Sequence, residues 1–255
     1  MNLFDLTGKV AVVTGSSKGI GRAIVERMAD HGARVVVSSR TQVDIDAVAD
    51  SINEVHPHAA IGVRADISNR AERAGLIEGA MSAFGRIDVL VCNAAYSAPV
   101  STMAEISDDE FCRLLEVNVV ANHALIQAVT GQMVERRDGS IIIISSIGGL
   151  RGGLGVAGAY NVSKAADFQM ARSLAVELGP SNVRVNCIAP GLVRTDLARD
   201  LWQDPDRLAA ILARTPLCRL TEPDDVAGVA VMLAAAAGRS ITGETIVVDG
   251  GKTMA

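Results

Sequence analysis

The stretch GAYNVSKAA, residues 158–166, places a phenol and an amine four positions apart. On a helix such residues share a face, with Cβ atoms about 6 Å apart. An ammonium held near a phenol favours the phenolate and lowers the phenol pKa from about 10, which suits proton transfer near neutral pH. Tyr160 and Lys164 are therefore a candidate acid–base pair. The spacing alone also fits an ordinary exposed turn of helix, so the choice depends on the rest of the chain.

A second candidate site is the glycine-rich stretch TGSSKGIG, residues 14–21, which follows an apolar run. Gly15, Gly19 and Gly21 permit a tight turn and let the backbone approach a phosphate closely. A helix that begins near Ile20 would direct free N–H groups and its positive dipole end at that phosphate. A glycine cluster alone is often only a turn, but strand, glycines and helix occur here in the order that dinucleotide binding requires.

The end of the second apolar run indicates which dinucleotide would bind. NAD sites place Asp or Glu there for the ribose 2′-hydroxyl, whereas a 2′-phosphate needs a cation. This chain has Ser39 and Arg40 at that point and Lys18 in the glycine loop, with no acid in place. A planar guanidinium binds a phosphate through two hydrogen bonds. The pattern favours NADP(H) over NAD(H), against the alternative that Arg40 is a solvated loop arginine.

Short runs rich in β-branched residues alternate with segments of helical apolar spacing. The predicted strands are 9–14, 34–39, 60–65, 88–92, 140–146, 183–189 and 245–248. The predicted helices are 20–31, 42–55, 69–84, 107–136, 159–179 and 223–237. Near-continuous apolar strands between helices indicate βαβ units and a sheet covered on both faces. With right-handed crossovers, this predicts an α/β doubly wound Rossmann fold with a seven-stranded parallel sheet.

No linker rich in Pro, Gly or Ser divides the chain, so we expect one dinucleotide-binding and catalytic domain over residues 1–255. Only the segment 192–220, with five arginines and the single tryptophan, interrupts the alternation. An insertion outside the carboxyl ends of the strands is predicted to cover a ligand crevice. A surface helical hairpin or a subunit contact fits the same segment equally well.

Composition excludes several other classes of protein. The net charge of −5 and the lack of a basic block disfavour a nucleic-acid surface. The longest uncharged apolar run, 226–238, is shorter than the ~20 residues that span a bilayer, and the first residues show no secretory signal. The cysteines and histidines have no metal-ligand spacing. We therefore expect a cytoplasmic protein without a metal site and without a membrane partner.

Several motifs, in order along nearly the whole chain, resemble those of the short-chain dehydrogenase/reductase family, in its 3-oxoacyl reductase-like or carbonyl reductase-like branch. They are T-G-x-x-x-G-x-G at 14–21, Asp66 after the third strand, Asn118 in EVNVV, Ser146 in SSIGG, the Y-x-x-x-K pair Tyr160 and Lys164, Pro190-Gly191, and VDGG at 248–251. Each motif is modest alone, and their common order makes the resemblance specific.

The resemblance implies a role for each of four residues. Tyr160 would be the general acid in carbonyl reduction and the base in oxidation, and Lys164 would lower its pKa and hydrogen-bond the nicotinamide ribose. Ser146 would donate to the substrate oxygen, so Ser146 and Tyr160 would both contact substrate. Asn118 would hold a water through its backbone, on a proton path from Lys164 to solvent. The implied cofactor contacts are Gly15, Ser17, Lys18, Gly19, Ile20, Gly21, Ser39, Arg40, Asp66, Ile67, Asn93, Ala94, Tyr160, Lys164, Pro190, Gly191, Val193 and Thr195.

Two departures from the family pattern affect these assignments. The N-N-A-G motif after the fourth strand reads CNAA, with Cys92 first and Ala95 last, which puts the local strand packing in doubt. The stretch between serine and tyrosine is about one residue longer than in many relatives. That length leaves the choice between Ser145 and Ser146 as the active-site serine open.

The resulting expectation is an NADP(H)-dependent oxidoreductase that transfers a hydride between nicotinamide and a ketone or secondary alcohol, such as a 3-oxoacyl thioester. The alternatives are an NAD-dependent secondary alcohol dehydrogenase and, in another class, a non-catalytic nucleotide-binding or scaffold protein. The resemblance also implies a homo-oligomer, a tetramer or a dimer. A small-molecule substrate is expected, but the sequence does not identify it.

Overall fold

The computed structural model of the protein describes residues 2–97, 101–152 and 157–254, without the side chains of residues 197 and 200. All strands pair in parallel in one sheet, with the order β3-β2-β1-β4-β5-β6-β7. The strands are β1 Val10–Thr14, β2 Arg34–Ser38, β3 Ala60–Gly62, β4 Val89–Cys92, β5 Gly139–Ile144, β6 Val183–Pro190 and β7 Thr245–Val248. The predicted doubly wound Rossmann fold with seven parallel strands is confirmed.

Helices cover both faces of this sheet. They are α1 Gly19–Asp30, α2 Gln42–Val55, α3 Arg70–Phe84, α4 Asp108–Leu115, α5 Ala121–Arg136, α6 Gly158–Leu178, α7 Arg199–Trp202, α8 Pro205–Leu212 and α9 Pro223–Ala234. Side chains alternate between the two faces: Ala11 and Val13 pack with α1, α2 and α9, whereas Val12 packs with α3, α5 and α6. Burial on both faces explains why the strands are near-continuous apolar runs.

Several predicted element boundaries were wrong, since the third strand and the last helix each end three residues earlier than predicted, at Gly62 and Ala234. Two further differences concern the site. The fifth strand ends at Ile144, so Ser145 and Ser146 lie beyond it rather than within it. The predicted helix 107–136 is interrupted by a π-helical turn over Glu116–Val120, which separates α4 from α5. Apolar spacing cannot reveal a single wider turn, because it shifts the helical period by only one residue.

The order of the strands determines where a ligand would bind. The chain builds outward from β1 to β3, then returns to the other side of β1 to continue with β4. In α/β proteins with such an order, the loops that follow the two central strands diverge, and ligands bind in the crevice outside their carboxyl ends. Here these strands are β1 and β4. The glycine-rich stretch follows β1, and the CNAA motif ends β4.

Candidate active site

The glycine-rich stretch forms a tight turn between β1 and α1. Gly15 and Gly19 have positive φ angles of 65° and 58°, which other residues rarely adopt. A Cβ atom on Gly21 would lie 2.6 Å from the Asn93 amide nitrogen and would also collide with the Gly15 carbonyl oxygen. No side chain caps the start of α1, and its first turn carries no acid. The free N–H groups of this turn therefore face the crevice without a competing negative charge.

Thr14 and Asn93 join the ends of β1 and β4. The Thr14 hydroxyl oxygen accepts the backbone N–H groups of Asn93 and Ala94, each at 3.0 Å. In return, the Asn93 side-chain amide donates to the carbonyl oxygens of Thr14, at 2.8 Å, and Gly15, at 3.1 Å. Cys92 is buried and pairs with β5 in register. The departure at CNAA thus leaves the strand packing intact, and Asn93 holds the glycine turn in place.

The residues predicted to discriminate between the two cofactors lie at the ends of β2 and β3. Arg40 is exposed and forms no ion pair within the described ranges, and Ser39 beside it is half-buried. Asp66 is partly buried, which raises its pKa, but hydrogen bonds from Ser68 and the charges of Arg40 and Arg64 outweigh burial and lower it. Ile67 is buried next to it. Arg40, at the end of β2, is thus an exposed cation without an ion-pair partner in the described part of the chain.

The segment after β6 lies against the glycine turn. A Cβ atom on Gly19 would come within 3.2 Å of a Thr195 methyl carbon, and the Lys18 ammonium is 3.6 Å from the Asp196 carboxylate. The Trp202 indole N–H donates to the Thr195 carbonyl oxygen at 3.0 Å, which ties α7 to the same point. Pro190 ends β6, and Gly191 and Val193 follow it. The predicted insertion therefore starts beside the glycine turn. It contains the short helices α7 and α8.

Lys164 lies in the interior beneath Tyr160, on α6. Its side chain is 2% exposed, and its ammonium donates to the Ile144 carbonyl oxygen at 2.9 Å, at the end of β5. The ammonium also lies 5.7 Å from the centre of the Tyr160 ring and 3.4 Å from an Asp167 carboxylate oxygen. Tyr160 is half-buried. An exposed turn of helix is therefore excluded for this pair, because the lysine is a buried cation next to the phenol ring.

The two candidate serines differ in what their hydroxyls contact. Ser145 is buried, and its hydroxyl donates to the Lys164 carbonyl oxygen at 2.7 Å, so it is committed to the packing of α6. Ser146 is half-buried, and its hydroxyl oxygen accepts the Gly148 N–H at 3.0 Å. Its proton has no acceptor in the part of the chain that the structure describes. This geometry favours Ser146 as the donor to a substrate; residues 153–156 of the following loop lie outside the described ranges.

Asn118 is wholly buried in the π-helical turn and links three segments. Its side-chain oxygen accepts the Tyr96 N–H at 2.7 Å, and its amide donates to the Tyr96 carbonyl at 2.9 Å and to the Ser163 hydroxyl at 3.0 Å. The Ser163 hydroxyl donates in turn to the Tyr160 carbonyl oxygen at 2.7 Å. The side chain of Asn118 therefore fixes the first turns of α6, and its backbone carbonyl already accepts the Asn122 amide at 2.7 Å.

Sequence reasoning missed three residues around the pair: Thr14, Ser163 and Asp167. Thr14 was recognised only as part of a motif, although its hydroxyl joins two strands. Ser163 and Asp167 lie three residues after Tyr160 and Lys164 respectively, a spacing that brings side chains together on a helix. That spacing was a usable signal, but polar residues at such positions are more often exposed, and only the packing of α6 shows that both are buried.

The charged groups of this region depart from their ordinary pKa values. Burial alone lowers the pKa of the Lys164 ammonium, but the charge of Asp167 and its hydrogen bond to the ammonium, with the nearby Tyr160, outweigh burial and raise it. Burial raises the pKa of the Asp167 carboxyl, and Lys164 opposes that rise. The lysine therefore stays protonated at neutral pH despite its burial.

Comparison with known proteins identifies the family. Residues 15–253 match the family model described as enoyl-(acyl carrier protein) reductase. Dehydrogenase/reductase SDR family member 4 from Bos taurus is 41% identical over 247 residues, which cover 96% of this chain and 88% of the bovine protein. The chain belongs to the short-chain dehydrogenase/reductase family. It is therefore an oxidoreductase, and the resemblance inferred from the motifs is confirmed.

Solved structures of family members have the same fold. A putative NAD(P)-dependent gluconate 5-dehydrogenase from Beutenbergia cavernae, with bound NADP, has a TM-score of 0.93 and 37% identity, covering 100% of both chains. A 7α-hydroxysteroid dehydrogenase in complex with NADH and 7-oxoglycochenodeoxycholic acid has a TM-score of 0.93 and 33% identity, covering 98% of this chain and 96% of that one. These two structures contain different nicotinamide cofactors, so similarity of fold does not decide the cofactor here.

The described residues contain neither a metal-binding cluster nor a membrane-spanning helix. No group of three or more His, Cys, Asp or Glu side chains among them could hold a metal ion. None of their helices combines the length and the apolar character needed to cross a bilayer.

Proposed function

We propose that this short-chain dehydrogenase/reductase transfers a hydride between NADP(H) and a ketone or secondary alcohol, with Tyr160 as the general acid or base. The observation that carries the proposal is the buried Lys164 ammonium, 5.7 Å from the centre of the Tyr160 ring and anchored to the end of β5. A buried cation beside a phenol, at the sheet edge where a cofactor would bind, has the properties of an acid–base pair.

The residues of the crevice fit a dinucleotide. A Cβ atom on Gly21 would collide with the turn and with Asn93, and one on Gly15 or Gly19 would press against its neighbours, so these glycines let the turn pack closely beside the cofactor. The uncapped start of α1 offers N–H groups to a pyrophosphate. When bound, the nicotinamide supplies or accepts the hydride. The residues predicted to contact the cofactor, from Gly15 to Thr195, lie at the ends of strands or in the segments that follow them, which supports the proposal.

Arg40 supports NADP(H) as the preferred cofactor. Its guanidinium is exposed and unpaired within the described ranges, and the carbonyl oxygen of Arg40 accepts a hydrogen bond from Arg64 at 3.1 Å, which fixes the backbone there. A phosphate would bind such a fork through two charge-assisted hydrogen bonds. The second candidate, NAD(H), has in its favour that a 7α-hydroxysteroid dehydrogenase with NADH shares the fold. It lacks here the acid that would hold a ribose 2′-hydroxyl.

The chemistry of reduction follows from the positions of three side chains. The Ser146 hydroxyl, free to donate, would bind the carbonyl oxygen of the substrate and stabilise the negative charge that develops there. The Tyr160 hydroxyl would give its proton to that oxygen, and the Lys164 ammonium would stabilise the charge left on the phenol oxygen. In oxidation each proton moves the opposite way. The backbone carbonyl of Asn118 would hold a water on the path that restores the proton.

The short helices after β6 are proposed to cover the substrate. The segment starts beside the glycine turn, through Thr195 and Asp196, and is held at its base by the Arg194–Glu222 ion pair at 2.8 Å. The segment contains Trp202, whose ring lies 5.7 Å from the Arg194 guanidinium. It also contains four other arginines. This mixture accommodates an apolar substrate with an anionic group, such as a 3-oxoacyl thioester or a hydroxy acid.

A substrate panel tests the proposal directly. Ketones, 3-oxoacyl thioesters, oxo-steroids and oxidised sugar acids are each incubated with the purified protein and NADPH or NADH, and the loss of reduced-cofactor absorbance is followed. We expect turnover with at least one class and a higher kcat/KM with NADPH. If the folded protein binds NADPH tightly but consumes it with no carbonyl compound, the non-catalytic nucleotide-binding alternative replaces the proposal. A higher kcat/KM with NADH would support the second candidate cofactor.

We also propose that the protein forms a homo-oligomer. β7 lies at the edge of the sheet, and its four residues are half-buried rather than buried like those of β1. Val162 and Val176 on α6 are 43% and 81% exposed. An edge strand and exposed apolar side chains on a long helix are typical of surfaces that other subunits cover. Light scattering on the purified protein is expected to show a dimer or tetramer, and a monomer would contradict the proposal.

A further inference from the structure

Lys164 forms a buried ion pair with Asp167, a residue that has no part in the acid–base chemistry proposed for Tyr160 and Lys164. Both side chains are on α6, three residues apart, with Nζ 3.4 Å from Oδ2. Lys164 is 2% exposed and Asp167 is 0% exposed. Burying a second charge is costly unless it does something for the first, and a core helix position such as 167 would otherwise suit an apolar residue.

Few charged and titratable groups face this pair from the elements that pack against it. On α6 itself, Tyr160 lies one turn before Lys164, and Arg172, two turns after it, is exposed. β4 and β6 contribute the buried thiols of Cys92 and Cys187, and the Cys187 thiol donates to the Asp167 carbonyl oxygen at 3.4 Å. Burial raises the pKa of both thiols, so they are neutral. Asp167 is thus the single negative charge facing Lys164 among the described residues.

The second carboxylate oxygen of Asp167 has no hydrogen-bond partner within the described part of the chain, and neither has the side-chain oxygen of Asn122. Hydrogen bonds from the side chains of Asn122 on α5 and Ser145 after β5 also lower the pKa of Asp167, but the charge of Lys164 has the larger effect. Lys164 is therefore the group with which this carboxylate interacts most strongly.

We propose that Asp167 is a positioning residue for the reaction: its carboxylate keeps the buried Lys164 amine protonated and holds it between the Ile144 carbonyl and the Tyr160 ring. This inference rests on the proposed function of Tyr160 and Lys164, and adds a residue that has no contact with substrate or cofactor in that scheme.

The physical reason is the cost of an isolated buried ammonium. Without a counter-charge, desolvation lowers the pKa of a buried lysine, sometimes by several units, until it is neutral near physiological pH. A neutral amine would no longer stabilise the negative charge on the Tyr160 oxygen. One backbone carbonyl, that of Ile144, accepts a hydrogen bond but supplies no full charge. Asp167 supplies that charge within hydrogen-bonding distance.

The first experiment measures Lys164 directly and does not depend on turnover. The chain contains only four lysines, Lys9, Lys18, Lys164 and Lys252, so nitrogen-detected NMR of lysine-labelled protein gives four side-chain signals to titrate. The Lys164→Met variant assigns one of them. In the wild type we expect Lys164 to stay an ammonium throughout the pH range in which the protein is folded. In Asp167→Asn its midpoint is expected to fall by about one pH unit or more.

The second experiment measures the reaction. Removing a negative charge near Lys164 lowers the pH at which the ammonium is lost, so the alkaline limb of the kcat/KM profile for carbonyl reduction should move to lower pH in Asp167→Asn. Asp88→Asn is the matched control, because Asp88 is also a buried carboxylate paired with a cation, Arg86, but at the start of β4. That variant is expected to lose stability and to keep the wild-type pH profile.

Three outcomes would overturn the inference. One is a Lys164 side chain that, in the wild-type protein, loses its proton at a pH below the ordinary pKa range of lysine. This measurement needs only the wild-type protein, so it can be made even if Asp167→Asn does not fold. Another is a folded Asp167→Asn protein with the wild-type lysine titration and an unmoved alkaline limb. The third is an equal shift in Asp88→Asn. Failure of the proposed function is a separate result, since it would show as turnover that survives in Tyr160→Phe.

Discussion

The strands of the sheet begin at one end, here called the amino edge, and finish at the other, here called the carboxyl edge. A buried carboxylate paired with a cation lies near each of them, but the two carboxylates have different partners. At the amino edge, Asp88 is saturated: it accepts the Val10 N–H at 2.9 Å and the Arg86 guanidinium, with Arg136 3.6 Å away. At the carboxyl edge, one Asp167 oxygen lies 3.4 Å from the Lys164 ammonium, and the other has no hydrogen-bond partner among the described residues. Asp88 joins β1, β4 and α5, whereas Asp167 interacts most strongly with one side chain.

The difference extends beyond the carboxylates. At the amino edge, Lys9 pairs with Asp138 and Arg136 donates to the Ile87 carbonyl at 2.7 Å, although the buried Nε of Arg136 has no hydrogen-bond partner among the described residues. The carboxyl edge leaves the Ser146 proton, the start of α1 and the Arg40 guanidinium available. Saturated polar groups stabilise a fold, and groups left available at one edge indicate where a ligand would complete the bonding.

The largest expected effect at the carboxyl edge is that of Tyr160→Phe. It removes the transferable proton and little volume, so turnover should fall by about 10³-fold while NADPH binding stays within a few-fold of the wild type. Stopped-flow or steady-state reduction assays give the first quantity, and cofactor fluorescence titration gives the second. Substantial residual turnover would show that the Tyr160 hydroxyl is not the general acid. The phenol would then have a structural role, like the polar groups of the amino edge.

Replacing each serine in turn sharpens the comparison within the carboxyl edge. Ser146→Ala should lower kcat by about 10²-fold, because it deletes a donor to the developing oxyanion. Ser145→Ala should instead lower the melting temperature, because its hydroxyl bond to the Lys164 carbonyl is structural. Kinetics and thermal unfolding of both variants decide the matter. The reverse pattern would assign the active-site role to Ser145.

The Arg40→Asp substitution acts at the outer end of the same edge. It replaces a cation with a charge that repels the 2′-phosphate, so the ratio of kcat/KM for NADPH to that for NADH should fall by about tenfold or more. Arg239→Asp is a matched control, since Arg239 is also an exposed arginine but precedes β7, at the opposite end of the strands. An unchanged ratio in Arg40→Asp would show that another residue discriminates between the cofactors.

The smallest effect on turnover is expected from the amino edge. Asp88→Asn should leave kcat unchanged and lower the free energy of unfolding by about 1–3 kcal/mol, because a buried charge-assisted network loses its charge. Urea unfolding measures the loss of stability, and the reduction assay measures the activity. A variant as stable as the wild type would mean that the Asp88 network contributes little to the fold.

Much of the site could be predicted because short-range spacing encodes it. Gly15, Gly19 and Gly21 are needed wherever a strand turns sharply into a helix over a ligand, and four-residue spacing brings Tyr160 and Lys164 together on any helix. Alternation of apolar strands with helices was enough for the sheet, whose seven strands are all found. The assignments of the individual cofactor contacts stay predictions until the substitutions above are made.

The sequence by itself determined the parallel doubly wound sheet, the family, and the order of the motifs along the chain, because these depend on periodicity and local backbone preference. Only the tertiary structure decided which serine has a free proton, that Asn118 lies in a π-helical turn, and that Lys164 shares its buried site with Asp167. The reason is physical: burial and hydrogen-bond partners depend on the elements that pack against a side chain, and these come from distant parts of the chain.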